Sequence, residues 1–168
     1  MGEGINTVLA FVKKISYYSS MEKDLNPLLI AIKAEKQAID YYARAARRVV
    51  NETGKEALKK ILKQEENHYK HLKDRFKKLA GRDLKAGEED STGSKISVLT
   101  EEHIPDHEAS DLEVCQIAMK DENEAHLFYT KAAKSAPDPE TKKLYEELAG
   151  EEVRHAEILM RICKILSA

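Results

Sequence analysis

Residues 65–68 read Glu65-Glu66-Asn67-His68, and residues 152–155 read Glu152-Val153-Arg154-His155, so Glu-x-x-His occurs twice with a separation of 87 residues. Each copy is preceded, thirty positions earlier, by another glutamate: Glu35 before Glu65 and Glu122 before Glu152. Residues three apart on a helix project from one face, so Glu65 with His68 and Glu152 with His155 can point together into an interior. Two such halves facing each other supply four carboxylates and two imidazoles. That donor set suits a carboxylate-bridged pair of metal ions in the core of a helical bundle. Oxygen-rich ligation with one imidazole per metal favours Fe(II) or Mn(II) over a metal that prefers thiolates. The spacing therefore predicts metal ligands at Glu35, Glu65, His68, Glu122, Glu152 and His155. Glu65 and Glu152 are expected to bridge, and Glu35 and Glu122 to bind one ion each.

The repeat extends beyond the ligands. Aligning residues 31–72 with 118–159 gives 11 identities in 42 positions, where unrelated sequences of average composition give about three. Ala38 matches Ala125, Tyr42 matches Tyr129, and Leu72 matches Leu159. An internal pseudo-two-fold axis through the metal site is expected.

Helix signals divide the chain. Asn26-Pro27 reads as an N-cap followed by proline in the first turn, opening a helix to about Asn51. Gly54 reads as a break, followed by a helix from about Lys55 to Ala80, ended by Gly81. Residues 81–109 carry glycine, Pro105 and many acids without a sustained period, and form a crossover in which Thr100–His103 is expected to make a helical turn. Ser110 or Asp111 caps a third helix to Ser135. Pro137-Asp138-Pro139 turns the chain into a fourth, ending near Leu166. The resulting division is an amphipathic N-terminal segment, 1–26, and a bundle over 27–168 with halves 27–80 and 110–168.

Core stripes follow at helical spacing: Leu28, Ala31, Glu35, Ala38, Tyr42, Ala45 and Val49 on the first helix, and equivalent rows on the others. Each stripe is apolar except at one level, where the glutamates and histidines fall. Buried carboxylates without partners are costly and repel one another, and two divalent cations relieve both effects.

Composition agrees. Charged residues make up 35% and aromatic residues 6%, and the 168 residues include 7 glycines and 4 prolines, which favours long helices over turn-rich β structure. A net charge of −2 argues against a nucleic-acid binder, despite the basic stretch Lys55–Arg82. No apolar run is long enough for a membrane span. Cys115 and Cys163 have no Cys-x-x-Cys spacing, which excludes a zinc knuckle and a four-cysteine iron site. Both read as small buried apolar residues with reduced thiols, in a cytoplasmic protein.

With these residues in place, the chain from about residue 27 to 166 resembles the ferritin-like superfamily of di-iron carboxylate proteins, and especially its rubrerythrin and erythrin branch. The resemblance implies an all-α, ferritin-like antiparallel four-helix bundle of two duplicated helix pairs with one long crossover. It also implies two iron ions per chain, replaceable by manganese or zinc, that react with hydrogen peroxide or oxygen. In rubrerythrins the centre reduces peroxide to water by two electrons. Tyr42 and Tyr129 occupy positions where that family carries phenols near the metal; each is either a donor to a ligand carboxylate or peroxide, or a core tyrosine satisfied elsewhere.

Two departures stand out. The sequence carries no four-cysteine rubredoxin motif, so electrons are expected to come from a separate rubredoxin-like protein or a reductase. The extra glutamate that rubrerythrins carry three residues after the third-helix ligand is Ala125 here. His126, one turn after Glu122, is placed either to join the site as a ligand or proton donor, or to pack as an ordinary helix residue. His103 and His107 lie in the acidic crossover and read as solvated. The leading expectation is a peroxide- or oxygen-reducing oxidoreductase, working as a homodimer. Iron oxidation of the ferritin kind, hydroxylation of an organic substrate, and metal-stabilised binding without turnover are the alternatives.

Overall fold

The computed structural model describes residues 3–92 and 109–167, and the side chains of residues 25–91 and 109–167. Among the described residues it is all-helical: α1 (Glu3–Arg48), α2 (Glu52–Ala80), α3 (Asp111–Ser135) and α4 (Pro139–Leu166), with a short 3₁₀ turn at Glu88–Thr92. Tight turns make α1 and α2 one antiparallel pair and α3 and α4 the other; across the bundle, α2 and α4 approach more closely than α1 and α3 do. The Thr100–His103 turn and the two crossover histidines, His103 and His107, lie outside the described residues.

Local chemistry explains the ends of these helices. Asn51 caps α2, its side chain accepting from the Gly54 backbone. Ser110 and Glu113 form a reciprocal capping box at the start of α3, which satisfies amides that the first helical turn leaves without partners. Asp138 caps α4, with Pro139 in the first turn. Gly81 ends α2 with φ +66, a left-handed conformation that glycine adopts without a Cβ penalty.

Two expectations about helix boundaries are corrected. The first helix does not start at Asn26: it begins at Glu3 and runs through Pro27. Proline lacks the N–H for one intrahelical bond but its φ is helical, so the helix continues across it. Gly54 is not a break but a buried residue in the first turn of α2. A Cβ there would meet Val49 Cγ1 at 3.3 Å, so glycine permits the close α1–α2 turn. Asp111 reinforces this corner by accepting from the backbone amides of Val50 and Asn51 at 3.0 and 2.8 Å.

The core lies where the stripes place it. Leu28, Ala31, Tyr42, Ala45, Val49, Leu58, Ile61, Leu72, Tyr129, Tyr145, Leu148 and Leu159 are all buried. They form two apolar clusters, with the level of glutamates and histidines between them. Cys115 and Cys163 are buried as expected, but they are not free thiols: they form a disulfide between α3 and α4, with Cα atoms 5.6 Å apart. Each residue sits on its own helix stripe, and only the relative register of the two helices brings the sulfurs together.

Candidate metal centre

Glu35, Glu65, His68, Glu122, Glu152 and His155 converge in the bundle, each no more than 4% exposed. They fall into two overlapping groups, Glu35–Glu65–His68–Glu152 and Glu122–Glu152–His155–Glu65, in each of which candidate ligand atoms lie within 4.8 Å of one another. The 87-residue offset converts one group into the other. The two imidazole rings stack with centroids 5.6 Å apart, as a pseudo-two-fold arrangement requires.

The glutamates divide by geometry. Glu65 places Oε2 2.9 Å from His68 Nδ1 and Oε1 2.9 Å from His155 Nδ1. Glu152 places Oε1 3.5 Å from His68 Nδ1 and Oε2 3.1 Å from His155 Nδ1. Both carboxylates therefore straddle the two imidazoles. Glu35 approaches only His68, at 3.6 Å, and Glu122 only His155, at 3.5 Å.

The phenols work crosswise. Tyr42 on α1 donates to Glu122 Oε1 on α3, and Tyr129 on α3 donates to Glu35 Oε1 on α1. Burial, then the charge of the neighbouring carboxylate, pushes both hydroxyls well above the ordinary tyrosine range, so they remain proton donors. His126 is not part of either group. Its Nδ1 lies 2.9 Å from the Ala149 carbonyl oxygen, directed at α4. His71 is exposed.

Two participants escaped the sequence reading. Glu151 Oε2 lies 2.6 Å from His68 Nε2, the nitrogen turned away from the carboxylate cluster. A carboxylate there fixes the tautomer and raises the basicity of the other ring nitrogen, Nδ1. The repeat places Gln64 at the equivalent position, and His155 Nε2 is buried without a partner. Nothing local marks Glu151; it reaches His68 only because α4 packs on α2. The second is Asp121, buried beside Glu122 with neither carboxylate oxygen hydrogen-bonded. A break in the repeat was its available signal, because the first half has Ala34 there.

Electrostatics shows what the donor set lacks. Burial, and then the charge of Glu65, pushes the Glu35 and Glu122 carboxyls well up. Burial opposes ionisation of Glu65 and Glu152 too, but hydrogen bonds from the two histidines outweigh it and hold both carboxyls low. Burial likewise opposes charge on the histidines. The surrounding carboxylates overcome it, raising His155 to about 12 and His68 still further. Two imidazolium charges thus take the place of two cations. Glu35 Oε2 and Glu152 Oε1 are buried without hydrogen-bond partners, aimed where an ion would sit. The residues fit a pair of divalent ions bound by Nδ1 of each histidine and the four carboxylates.

A cavity of about 20 Å³ opens against this cluster between α1 and α3, lined by Ala34, Ala38, Tyr41, Asp121, Ala125 and Phe128 as well as the ligand glutamates and the two phenols. It holds about one water-sized molecule. Small side chains at Ala38 and Ala125 leave the space.

Comparison with known proteins agrees with this architecture. The rubrerythrin family model matches residues 113–166, about a third of the chain, which includes Glu122, Tyr129, Glu152 and His155. Among solved structures, the chain is similar to a dodecameric thioferritin, the bacterioferritin-related protein of Bacteroides fragilis, with TM-score 0.72, 19% identity and 88% of each chain covered. It is also similar to a hypothetical protein from Pyrococcus furiosus, with TM-score 0.64, 25% identity, and 84% of this chain and 89% of that one covered. No curated protein matches in sequence. The fold is ferritin-like, and the second helix pair is rubrerythrin-like.

Proposed function

We propose that this chain is a non-haem di-iron oxidoreductase of rubrerythrin type, which reduces hydrogen peroxide or oxygen with electrons from an external donor. One observation carries the reading: Glu65 and Glu152 each direct one oxygen toward each histidine Nδ1. Glu35 and His68 would hold one ion and Glu122 and His155 the other, with Glu65 and Glu152 within reach of both. Two iron ions bound there supply the two electrons in H2O2 + 2e− + 2H+ → 2H2O.

The chain's own residues prepare that reaction. Tyr42 and Tyr129 hold the terminal carboxylates in place and keep their protons, so the site retains hydrogen-bond donors in a dry interior. Apolar walls at Ala34, Ala38, Ala125 and Phe128 limit water around the centre. A cavity of about 20 Å³ suits peroxide or oxygen and weighs against an organic substrate. No helix among the described residues is long and apolar enough to cross a membrane. Electrons come from a separate rubredoxin-like protein or reductase, and the functional unit is a homodimer.

A second reading is favoured by the likeness to a dodecameric thioferritin: the same residues oxidise Fe(II) and pass it on for storage. Anaerobic loading with Fe(II), followed by parallel stopped-flow mixing with peroxide and with oxygen, separates the two. Faster oxidation by peroxide, saturating at two irons per chain and recurring with fresh reductant, supports the peroxidase. Preference for oxygen, together with a native mass of twelve chains, overturns it in favour of iron storage.

A further inference from the structure

Asp121 stands outside the six candidate ligands but faces the same cavity. It is 5% exposed, and neither of its carboxylate oxygens has a hydrogen-bond partner. The apolar residues lining the same cavity, Ala34, Ala38, Ala118, Ala125 and Phe128, have no polar side-chain atom to offer it. Tyr41 is also engaged elsewhere, donating to the Val114 carbonyl oxygen at 2.8 Å. An unpartnered buried carboxylate costs stability, and the repeat shows that the fold does not require it, since Ala34 fills the same place in the first half.

We propose that Asp121 is a transfer ligand for divalent cations, receiving an ion in the gap between α1 and α3 and passing it to Glu122 and the other ligands of the centre. The inference rests on the reading that these six residues hold two ions. Two further observations support it. The cavity admits about one water-sized species, so an ion must shed most of its water before reaching the glutamates. Each lost water needs a replacement oxygen, and Asp121 is the one acidic side chain on this wall beyond the ligands themselves. A single carboxylate holds a partly hydrated divalent ion weakly, which suits passage and not storage. The cavity lies between α1 and α3, which approach each other less closely than α2 and α4 do.

The test is rapid mixing of metal-free full-length protein with Co(II), followed by its visible absorption, and then equilibrium dialysis for stoichiometry. Asp121→Ala installs the residue of the first half, and Asp121→Asn keeps the shape without the charge. Both are expected to bind two Co(II) per chain at equilibrium but to load about ten-fold more slowly than the wild type, with Asp121→Glu recovering part of the rate. Wild-type loading rates in both variants overturn the proposal. Fewer than two ions at equilibrium in Asp121→Ala also overturn it, by making Asp121 a ligand of the centre itself. A wild-type chain that binds no Co(II) overturns the two-ion reading and this inference with it.

Discussion

Tyr42, on α1, donates its hydroxyl proton to Glu122, on α3, so a phenol from the first helix pair holds a buried carboxylate of the second. Tyr129 returns the same bond to Glu35. The two halves are locked together by this exchange at the level where apolar packing is interrupted. Tyr42→Phe is expected to leave two ions bound per chain while destabilising the metal-free protein by about 1–3 kcal/mol, since a buried carboxylate oxygen loses its donor. Urea unfolding checks the stability, and metal analysis checks the binding.

Glu65 and Glu152 each reach toward both histidines, whereas Glu35 and Glu122 each reach toward one. Replacement of a straddling carboxylate therefore affects both ion positions. Glu65→Ala and Glu152→Ala are expected to reduce binding from two ions per chain to one or none, measured by titration with Co(II). Two ions retained at wild-type affinity would show that the ligand set is wrong.

Metal binding is expected to release protons. In the folded, metal-free chain His155 holds its proton up to about 12, and His68 holds its own more firmly still, against 6.5 for the unfolded residue. These raised values favour the folded state below pH 6.5, and the contribution is lost as pH rises toward 12. An ion at Nδ1 must displace that proton, and ions also favour ionised Glu35 and Glu122, whose carboxyls burial pushes up. Affinity should thus rise with pH. Calorimetry in buffers of different ionisation enthalpy at pH 7 counts the released protons. A pH-independent affinity with no release would contradict the assignment of the imidazoles.

Arg75, on α2, is buried and bound to Thr141, Glu140 and Asp138 at the start of α4. It ties together the helices that carry the two Glu-x-x-His runs. Arg75→Ala removes the guanidinium from Thr141 and from the partly exposed Asp138, which keeps its bonds from Thr141, and is expected to cost about 1–2 kcal/mol. Thermal unfolding of the metal-free variant measures it.

The Cys115–Cys163 disulfide spans 48 residues of sequence and joins α3 to α4. Closing a loop of that length restricts the unfolded chain by up to about 4 kcal/mol. Reduction, or Cys163→Ala, is expected to lower the unfolding midpoint without changing the number of ions bound, because neither sulfur belongs to the candidate centre.

Much of this molecule was legible locally. The spacing of three between Glu65 and His68, the duplicate at Glu152 and His155, and the helix starts at Ser110 or Asp111 and after Pro137-Asp138-Pro139 each depend on residues within a turn of one another. Helical geometry converts such spacing directly into a shared face. Pro27 shows the limit of punctuation signals, because a proline compatible with starting a helix is also compatible with continuing one. Asp121 was legible in principle as an acid standing where the repeat has Ala34, yet only its burial without a partner sets it apart from an exposed helix residue.

By itself the sequence determined that two similar helix pairs would each present two carboxylates and one imidazole at a single level of an apolar core. That follows from periodicity along each helix. Only the tertiary structure decided which side chains meet across helices: Glu65 between two imidazoles, Tyr42 on Glu122, Glu151 behind His68, Cys115 on Cys163, and Asp121 facing the cavity. Those meetings depend on the rotation and axial register of one helix against another. They are set by the packing of whole faces, and no single stretch of chain encodes them.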